Sequence, residues 1–510
     1  MSEPPKPPKY SLGVEIEAYA AIVVEGHQSP DIPIFRNHPA QPMVVTEQER
    51  WGYELAERLK QEVRDCINTV LAKQGHGWRV QAPPPRDSPD ANQHPLRQHP
   101  VRFEHWSSSH WVVKDDLTLV PLQDLDVDTH YFEFVSFEVV SPPLWACDQS
   151  YDEIWKVCDA IRSTFWVLTP RQCGLHVHVG MGLDTYPLDQ FQRIAAFLYA
   201  ADSTLVQMHP SHRRNNCYAR SNRHFSFLTL GMTAADATKH MDETSRRIAL
   251  AAASNETLGM SADDAARYLE DVMRRIEVPP LGDRPLDWGQ SLSSGTLPPS
   301  PADFSNTPTI TSHIDRTIPS NAAVFGERGR LGGYSHAQDP QRQWLRYDFI
   351  KENRTSLPDI KPSLEEIFKA RRLDVVADLM QIISRGAYHF LNVTDDQKRT
   401  IEFRQPAGAI HPCEVAAMAR ICVGLCEWAS EASSQHWWSV VQDLIQGEDD
   451  MSWYDVFDLL AEIDLLPEAK VLAAITTPGR GLHEVVVREY MYDRNVNGFA
   501  DQTTKAELPG

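Results

Sequence analysis

Ser11–Ile22 (SLGVEIEAYAAI) alternates apolar and acidic residues, the period of a strand with two unlike faces. Leu12, Val14 and Ile16 share one face, and Glu15 and Glu17 share the other. Thr46 and Glu49 have the form of a capping box, and the series Trp51, Leu55, Leu59, Val63, Ile67 and Val70 predicts an amphipathic helix closing near Gly75. Trp111–Leu119 and Tyr131–Val140 read as strands, the second stopped by Ser141-Pro142-Pro143. Helical spacing of Tyr151, Ile154, Trp155, Cys158, Ile161 and Phe165 predicts a helix over Asp148–Leu168. A strand at Gly174–Val179 and a helix opening at Pro187 follow. Residues 234–276 read as helical, Ala387–Val393 and Thr400–Gln405 as a strand pair around the turn Thr394–Lys398, and 414–430, 436–446 and 452–464 as closing helices.

Two stretches break this pattern. Gln81–Pro100 holds too many prolines for a helix or an inner strand and reads as a surface loop, and Pro279–Asn321, dense in Pro, Ser, Thr and Gly, reads as a flexible insertion or lid. No internal repeat is visible.

Strands separated by long helices usually point to a parallel, doubly wound sheet. Here several strands carry charge on one face, whereas parallel strands covered on both sides read as nearly continuous apolar runs. The expected fold is therefore α+β: a mostly antiparallel sheet with helices on its apolar side and a site on its polar side.

The chain has 510 residues and a formal net charge of −21, which would repel a phosphate backbone, so nucleic acid is not an expected partner. No apolar run reaches the ~18–20 residues of a membrane-spanning helix, and Met1–Tyr10 lacks the apolar stretch of a signal peptide. Eight cysteines without a Cys-x-x-Cys pair fit a reduced, cytoplasmic setting.

Candidate chemistry lies on the strands. Glu15 with Glu17, Glu138, His176 with His178, and Glu402 with Arg404 each present ionisable groups, and the spacing of two puts the members of each pair on one face. Structural readings stand beside this one: an exposed edge strand for the first pair, a satisfied core pair for the histidines, a cross-face ion pair for Glu402 and Arg404. Glu138, set among Phe134, Phe137, Val139 and Val140, demands a cation, a hydrogen-bond donor or a proton. Gly174, Gly180 and Gly182 bracket the histidine strand and would let a ligand approach the backbone. Carboxylates and imidazoles without thiolates favour Mg²⁺ or Mn²⁺ over structural zinc, and a nearby arginine suits phosphate oxygens. That combination is the machinery of phosphoryl transfer. Neither a Gly-x-x-x-x-Gly-Lys-Ser/Thr loop nor a Gly-x-Ser-x-Gly elbow is present.

Four strings in this order, GVEIEAY at 13–19, EVVSPPL at 138–144, CGLHVHVG at 173–180, and AYHFLNV with RTIEFRQPAG between 387 and 408, resemble the amidoligase family of the glutamine synthetase and glutamate–cysteine ligase superfamily. The resemblance implies a curved antiparallel sheet backed by helices, like the glutamine synthetase catalytic domain. It implies an ATP-dependent ligase that joins a carboxylate to an amine through an acyl phosphate, acting on small-molecule or peptide substrates and using subunit contacts in some relatives. It also implies roles: Glu15, Glu17, Glu138, His176 and Glu402 on two Mg²⁺ or Mn²⁺ ions, Arg404 on the transferred phosphoryl group, and His178 facing substrate. The loop His212-Arg213-Arg214-Asn215-Asn216 would bring Arg213 and Arg214 to the nucleotide, with a solvated basic turn as the other reading. Asp116 would touch substrate. The resemblance spans residues 11–430, leaving a flexible 1–10, insertions at 81–100 and about 235–345, and a helical extension over 431–510. A guanidino-type phosphotransferase and a non-enzymatic interaction protein on a ligase scaffold are the alternatives.

Overall fold

The computed structural model describes residues 8–26, 40–49, 53–72, 110–116, 119, 132–182, 184–214, 218–256, 358–382, 385–395, 398–449 and 454–476. The expected loops at 81–100 and 279–321, and the part of the expected helix beyond residue 256, lie outside these residues.

An open sheet, nine-stranded among the described residues, organises the fold. Its strands are β1 (Ser11–Val24), β2 (Val44–Val45), β3 (Val112–Lys114), β4 (Phe132–Val140), β5 (Leu144–Trp145), β6 (Val167–Leu168), β7 (Leu175–Gly180), β8 (Tyr388–His389) and β9 (Thr400–Phe403). The main order is β3-β4-β1-β7-β9-β8, with β2, β5 and β6 also pairing to β1. Every pairing is antiparallel except β1 with β2. This is the α+β, mostly antiparallel arrangement that the one-sided charge implied.

Helices cover one face. They are α1 (Tyr53–Leu71), α2 (Asp148–Thr164), α3 (Leu188–Leu205), α4 (Ala234–Glu256), α5 (Ile360–Lys369), α6 (Leu373–Leu379), α7 (Pro412–Glu431), α8 (Ser434–Asp449), α9 (Val456–Glu462) and α10 (Leu466–Thr476). Leu12, Val14 and Ile16 of β1, Val139 of β4, Val177 and Val179 of β7 and Ile401 of β9 face this layer, in one continuous core with Leu59, Ile154, Ile194 and Ile421. Burying each such side chain contributes roughly 1.5–3 kcal/mol, so the apolar face fixes which way the alternate residues point. α7 packs on α2, α3 and β7, while α8 packs on α3 and α10 on α7.

Several expected bounds change. The helix from Asp148 ends at Thr164, because Phe165 turns extended and Val167 and Leu168 pair with β1. Among the described residues of the strand expected over Trp111–Leu119, Val112–Lys114 are regular. The strand expected over Ala387–Val393 keeps only Tyr388–His389 before a 3-10 helix at Leu391–Thr394. The Thr46–Glu49 box makes its hydrogen bonds, and the helix is described from Tyr53 onward. The helix expected at 452–464 is Val456–Glu462, capped by Asp455, and a further helix, α10, follows it. Among the described residues no helix is long and apolar enough to cross a membrane, and the described cysteines are free thiols.

Glu414, in the first turn of α7, has its carboxyl pushed up to about 7 by burial. An unfolded glutamate titrates near about 4.3, so the folded chain holds this proton more tightly. The stability this confers is complete below about pH 4.3 and is lost as pH rises through about 7. Glu414→Gln is expected to match the parent at about pH 4 and to exceed its unfolding free energy by about 3–4 kcal/mol at about pH 8. Urea melts at the two pH values check this; equal stability at the higher pH would mean the carboxylate is well solvated.

Candidate active site

Sheet register carries the ionisable residues to one place. Glu17 pairs with Glu138, and Glu138 with Lys114; Glu15 pairs with His176, His178 with Glu402, and Glu402 with His389. Residues paired across antiparallel strands share a face, and so do residues two apart along a strand. Glu15, Glu17, Glu138, His176, His178 and Glu402 therefore all occupy the face opposite the helices. Arg404, one residue past β9, joins them through an ion pair from Nη1 to Glu402 Oε1. Glu17, Glu138, His176 and Glu402 are buried.

Four carboxylates this close repel one another, and each has a donor or cation against it. Glu15 lies between two imidazoles, with His176 Nδ1 3.2 Å from Oε2 and His178 Nε2 3.2 Å from Oε1. Burial pushes its carboxyl up, but the two imidazoles outweigh that and hold it well below the usual carboxylate range. Glu17 Oε2 accepts the Gly174 N–H at 2.6 Å, and Oε1 is 3.6 Å from His176 Nε2. Burial still leaves Glu17 raised, with the Asp116 charge adding to the effect.

The two ends of the cluster differ. Burial, reinforced by the Glu15 charge, pushes the Glu138 carboxyl up to about 8, against the lowering effect of Lys114, whose Nζ is 3.2 Å from Oε2. At Glu402 burial also raises the carboxyl, but the His389 side chain and the charges of His178, Arg404 and His176 win, and it is held below its ordinary value. Its Oε2 accepts a 2.8 Å hydrogen bond from Asn392 Nδ2.

His178 supplies the observation that bears on a cation. Its Nδ1 is 3.0 Å from Thr400 Oγ1, while Nε2 is buried and has no hydrogen bond, although Glu15 Oε1 is close. One ligand atom each from Glu15, His178 and Glu402 lies within 4.8 Å of the other two. Two carboxylates and an imidazole suit a divalent cation, and these three could hold one.

All seven residues expected on the sheet or at its edge are thus brought together, with Asp116 near enough to influence both Glu17 and Glu138. His178, read from resemblance as a substrate contact, lies in the tightest group of potential ligands. The two loop arginines are engaged with main chain: Arg213 donates to the carbonyls of Gln405 at 3.0 Å and Arg404 at 2.6 Å, and Arg214 donates to the His209 carbonyl at 2.6 Å. Arg213 is buried and braces the chain leaving β9. The His212 side chain, Asn215 and Asn216 lie outside the described residues. Sequence reasoning missed Lys114, His389, Asn392 and Thr400. Lys114 could have been found from its alternation with Val113 in the edge strand, and the others only through register.

A family model described as "Putative amidoligase enzyme" matches residues 8–285, more than half of the chain. Comparison with curated proteins and with solved structures gives no match. Glu402 and Arg404 lie beyond the matched span, and it is the pairing of β9 with β7 that brings them to the site.

Gly174 tests how tightly the cluster is packed. A Cβ there would lie 3.0 Å from His176 Nε2, 3.2 Å from Arg213 Nη2 and 3.4 Å from Glu17 Oε2. Gly174→Ala is expected to lower the unfolding free energy by about 1–3 kcal/mol in urea melts, since the His176 and Arg213 side chains must both give way while Glu17 stays in contact. A variant as stable as the parent would show that the site is loosely held.

Proposed function

The chain belongs to the amidoligase family, and from that premise we propose that it is an ATP-dependent ligase forming an amide or isopeptide bond between a carboxylate and an amine. The observation that carries this reading is the convergence of four carboxylates, two imidazoles and a guanidinium, from β1, β4, β7 and the end of β9, on one face of the sheet. The mostly antiparallel sheet and the order of the motifs support kinship with the glutamine synthetase and glutamate–cysteine ligase superfamily.

In this reading the substrate carboxylate attacks the γ-phosphorus of ATP and ADP leaves. The amine nitrogen then attacks the acyl phosphate, phosphate departs, and the nitrogen loses a proton. Mg²⁺ or Mn²⁺, bound by Glu15, Glu17, Glu138, His176 and Glu402 with His178 beside them, would neutralise the charge of two anions that must meet. Arg404 orients phosphate oxygens through its planar fork. The carboxylates favour cations and disfavour a bare anion, which makes the site selective for a metal–phosphate complex over free phosphate. The acidic substrate would be small or a peptide, and the site's remaining surface would select the amine.

Purified protein incubated with ATP, Mg²⁺ and a panel of amino acids and peptides, with hydroxylamine as trapping amine, is expected to yield ADP, phosphate and a hydroxamate. No product across the panel would overturn the ligase reading, and a stable phosphorylated guanidine without phosphate release would favour a phosphotransferase. Glu402→Gln is expected to reduce turnover by at least about 100-fold while circular dichroism stays that of the parent, because it removes a charge from the site without changing shape. Undiminished turnover would remove Glu402 from the reaction.

A further inference from the structure

The strand that ends early at His389 leads to a residue no motif singled out. Tyr388 pairs with Phe403 and His389 with Glu402. Continued in that register, an antiparallel strand would set Asn392 opposite Arg399, three residues and about 10 Å beyond Glu402, and on the helix-covered face. The chain does otherwise. Phe390 takes a helical conformation and Leu391–Thr394 coil into a 3-10 helix, closed by the Val393 N–H on the Phe390 carbonyl at 3.0 Å. This return carries the Asn392 amide to 2.8 Å from Glu402 Oε2.

The turn is held from both sides. Phe390 and Val393 are buried in the main core, and the Phe390 ring meets Phe191 edge-on at 5.7 Å. On the return side Arg399 adopts a positive φ of 50°, a region costly for a residue with a side chain, so packing and hydrogen bonds impose it. Strain of this kind next to a cluster of charged groups is where local rules are expected to yield to function.

The two Glu402 oxygens consequently have separate neighbours. Oε2 accepts from Asn392 and has His389 Nδ1 3.5 Å away, while Oε1 faces Arg404 and His176. We infer that Asn392 is a positioning residue: its amide, delivered by the 3-10 return, fixes the rotation of the Glu402 carboxylate so that it is presented to a divalent cation shared with Glu15 and His178. The inference rests on the proposed cation site and adds to it the group that orients one ligand. Asn392 is buried and contributes no charge, so its effect comes through the direction of one hydrogen bond.

Calorimetric titration of the full chain with MnCl₂ in the absence of ATP tests it, with thermal melts in chelator-treated buffer as the control for folding. Asn392→Leu keeps the bulk and loses the donor, and is expected to weaken Mn²⁺ binding about 10–100-fold, the usual effect of losing a group that orients a metal ligand. Asn392→His returns an N–H donor at similar reach, and is expected to restore affinity to within about threefold of the parent, a rescue that a purely structural role would not give. Should Asn392→Leu fail to fold, Asn392→Thr, whose hydroxyl ends one bond short of Glu402, takes its place. Parental affinity in the Leu variant, or in the Thr variant whose shorter hydroxyl does not reach Glu402, would overturn the positioning role. Loss in the His variant equal to that in Leu would do the same. A parent that binds no Mn²⁺ would instead overturn the cation site on which the inference rests.

Discussion

The registration of β1 between β4 and β7 is the constraint on which the site depends. A strand has a side-chain period of two, so a slip of one residue would turn Glu15 and Glu17 into the helix-covered core and expose Val14 and Ile16. Those apolar residues are fully buried against helices from three parts of the chain, and the cost of exposing them enforces the register. The carboxylates are therefore held together by the burial of their neighbours. Charge repulsion alone would drive them apart. Ser141 reinforces the same alignment at the end of β4, where its hydroxyl accepts the Val14 N–H at 2.9 Å and its own N–H reaches the Val14 carbonyl at 2.9 Å.

Held in this way, the carboxylates do not behave alike. Glu15 and Glu402, each flanked by imidazole or guanidinium, are favoured as anions, whereas Glu138, with a half-exposed lysine as its nearby cation, is pushed up to about 8. The polar face thus has an end that keeps its negative charge and an end that readily holds a proton. Pairs of acidic groups whose environments push them in opposite directions are the usual mark of divided labour in a site.

What the sequence revealed follows from where one physical rule acted alone. At Ser11–Glu17 and Leu175–Gly180 one face is core and the other is polar, so alternation reads through directly. Beyond Glu17 it fails, because Ala18 to Val24 are buried on both faces, with Tyr19, Ala21 and Val23 covered by Phe134, Trp166 and Leu168. The aromatic-rich stretch at Phe165 was read as the end of a helix because its spacing fits, and pairing to β1 overrode that local preference. Arg213 and Arg214 look like phosphate ligands by type, and the main-chain carbonyls to which they also donate depend on a fold that no spacing encodes. The return at Leu391 was hidden for the same reason: Phe390 and Val393 read equally well as strand residues until the core that receives them is known.

Closing the site requires residue 400 to reach residue 180, with a long segment between them. The structure shows how the points where that segment leaves and rejoins the described chain are fastened. α4 packs on α6, Arg372 Nη1 lies 2.6 Å from Asp242 Oδ1, and His240 Nδ1 lies 2.7 Å from Asp378 Oδ2. Arg223, fully buried, joins Glu448 of α8 to the Pro358 carbonyl at 2.7 Å. Asn222 then clamps β8 directly, accepting the Tyr388 N–H at 2.9 Å and donating to its carbonyl at 2.9 Å. A side-chain amide here does the work of a neighbouring strand, so a two-residue strand at the sheet edge is held on both sides. Because loop-closure entropy grows only slowly with length, the sequence distance between β7 and β9 adds little to the cost of pairing them, and these local fastenings favour that pairing. The site thus combines residues from β1, near the start of the chain, with residues from β9, nearly four hundred positions later.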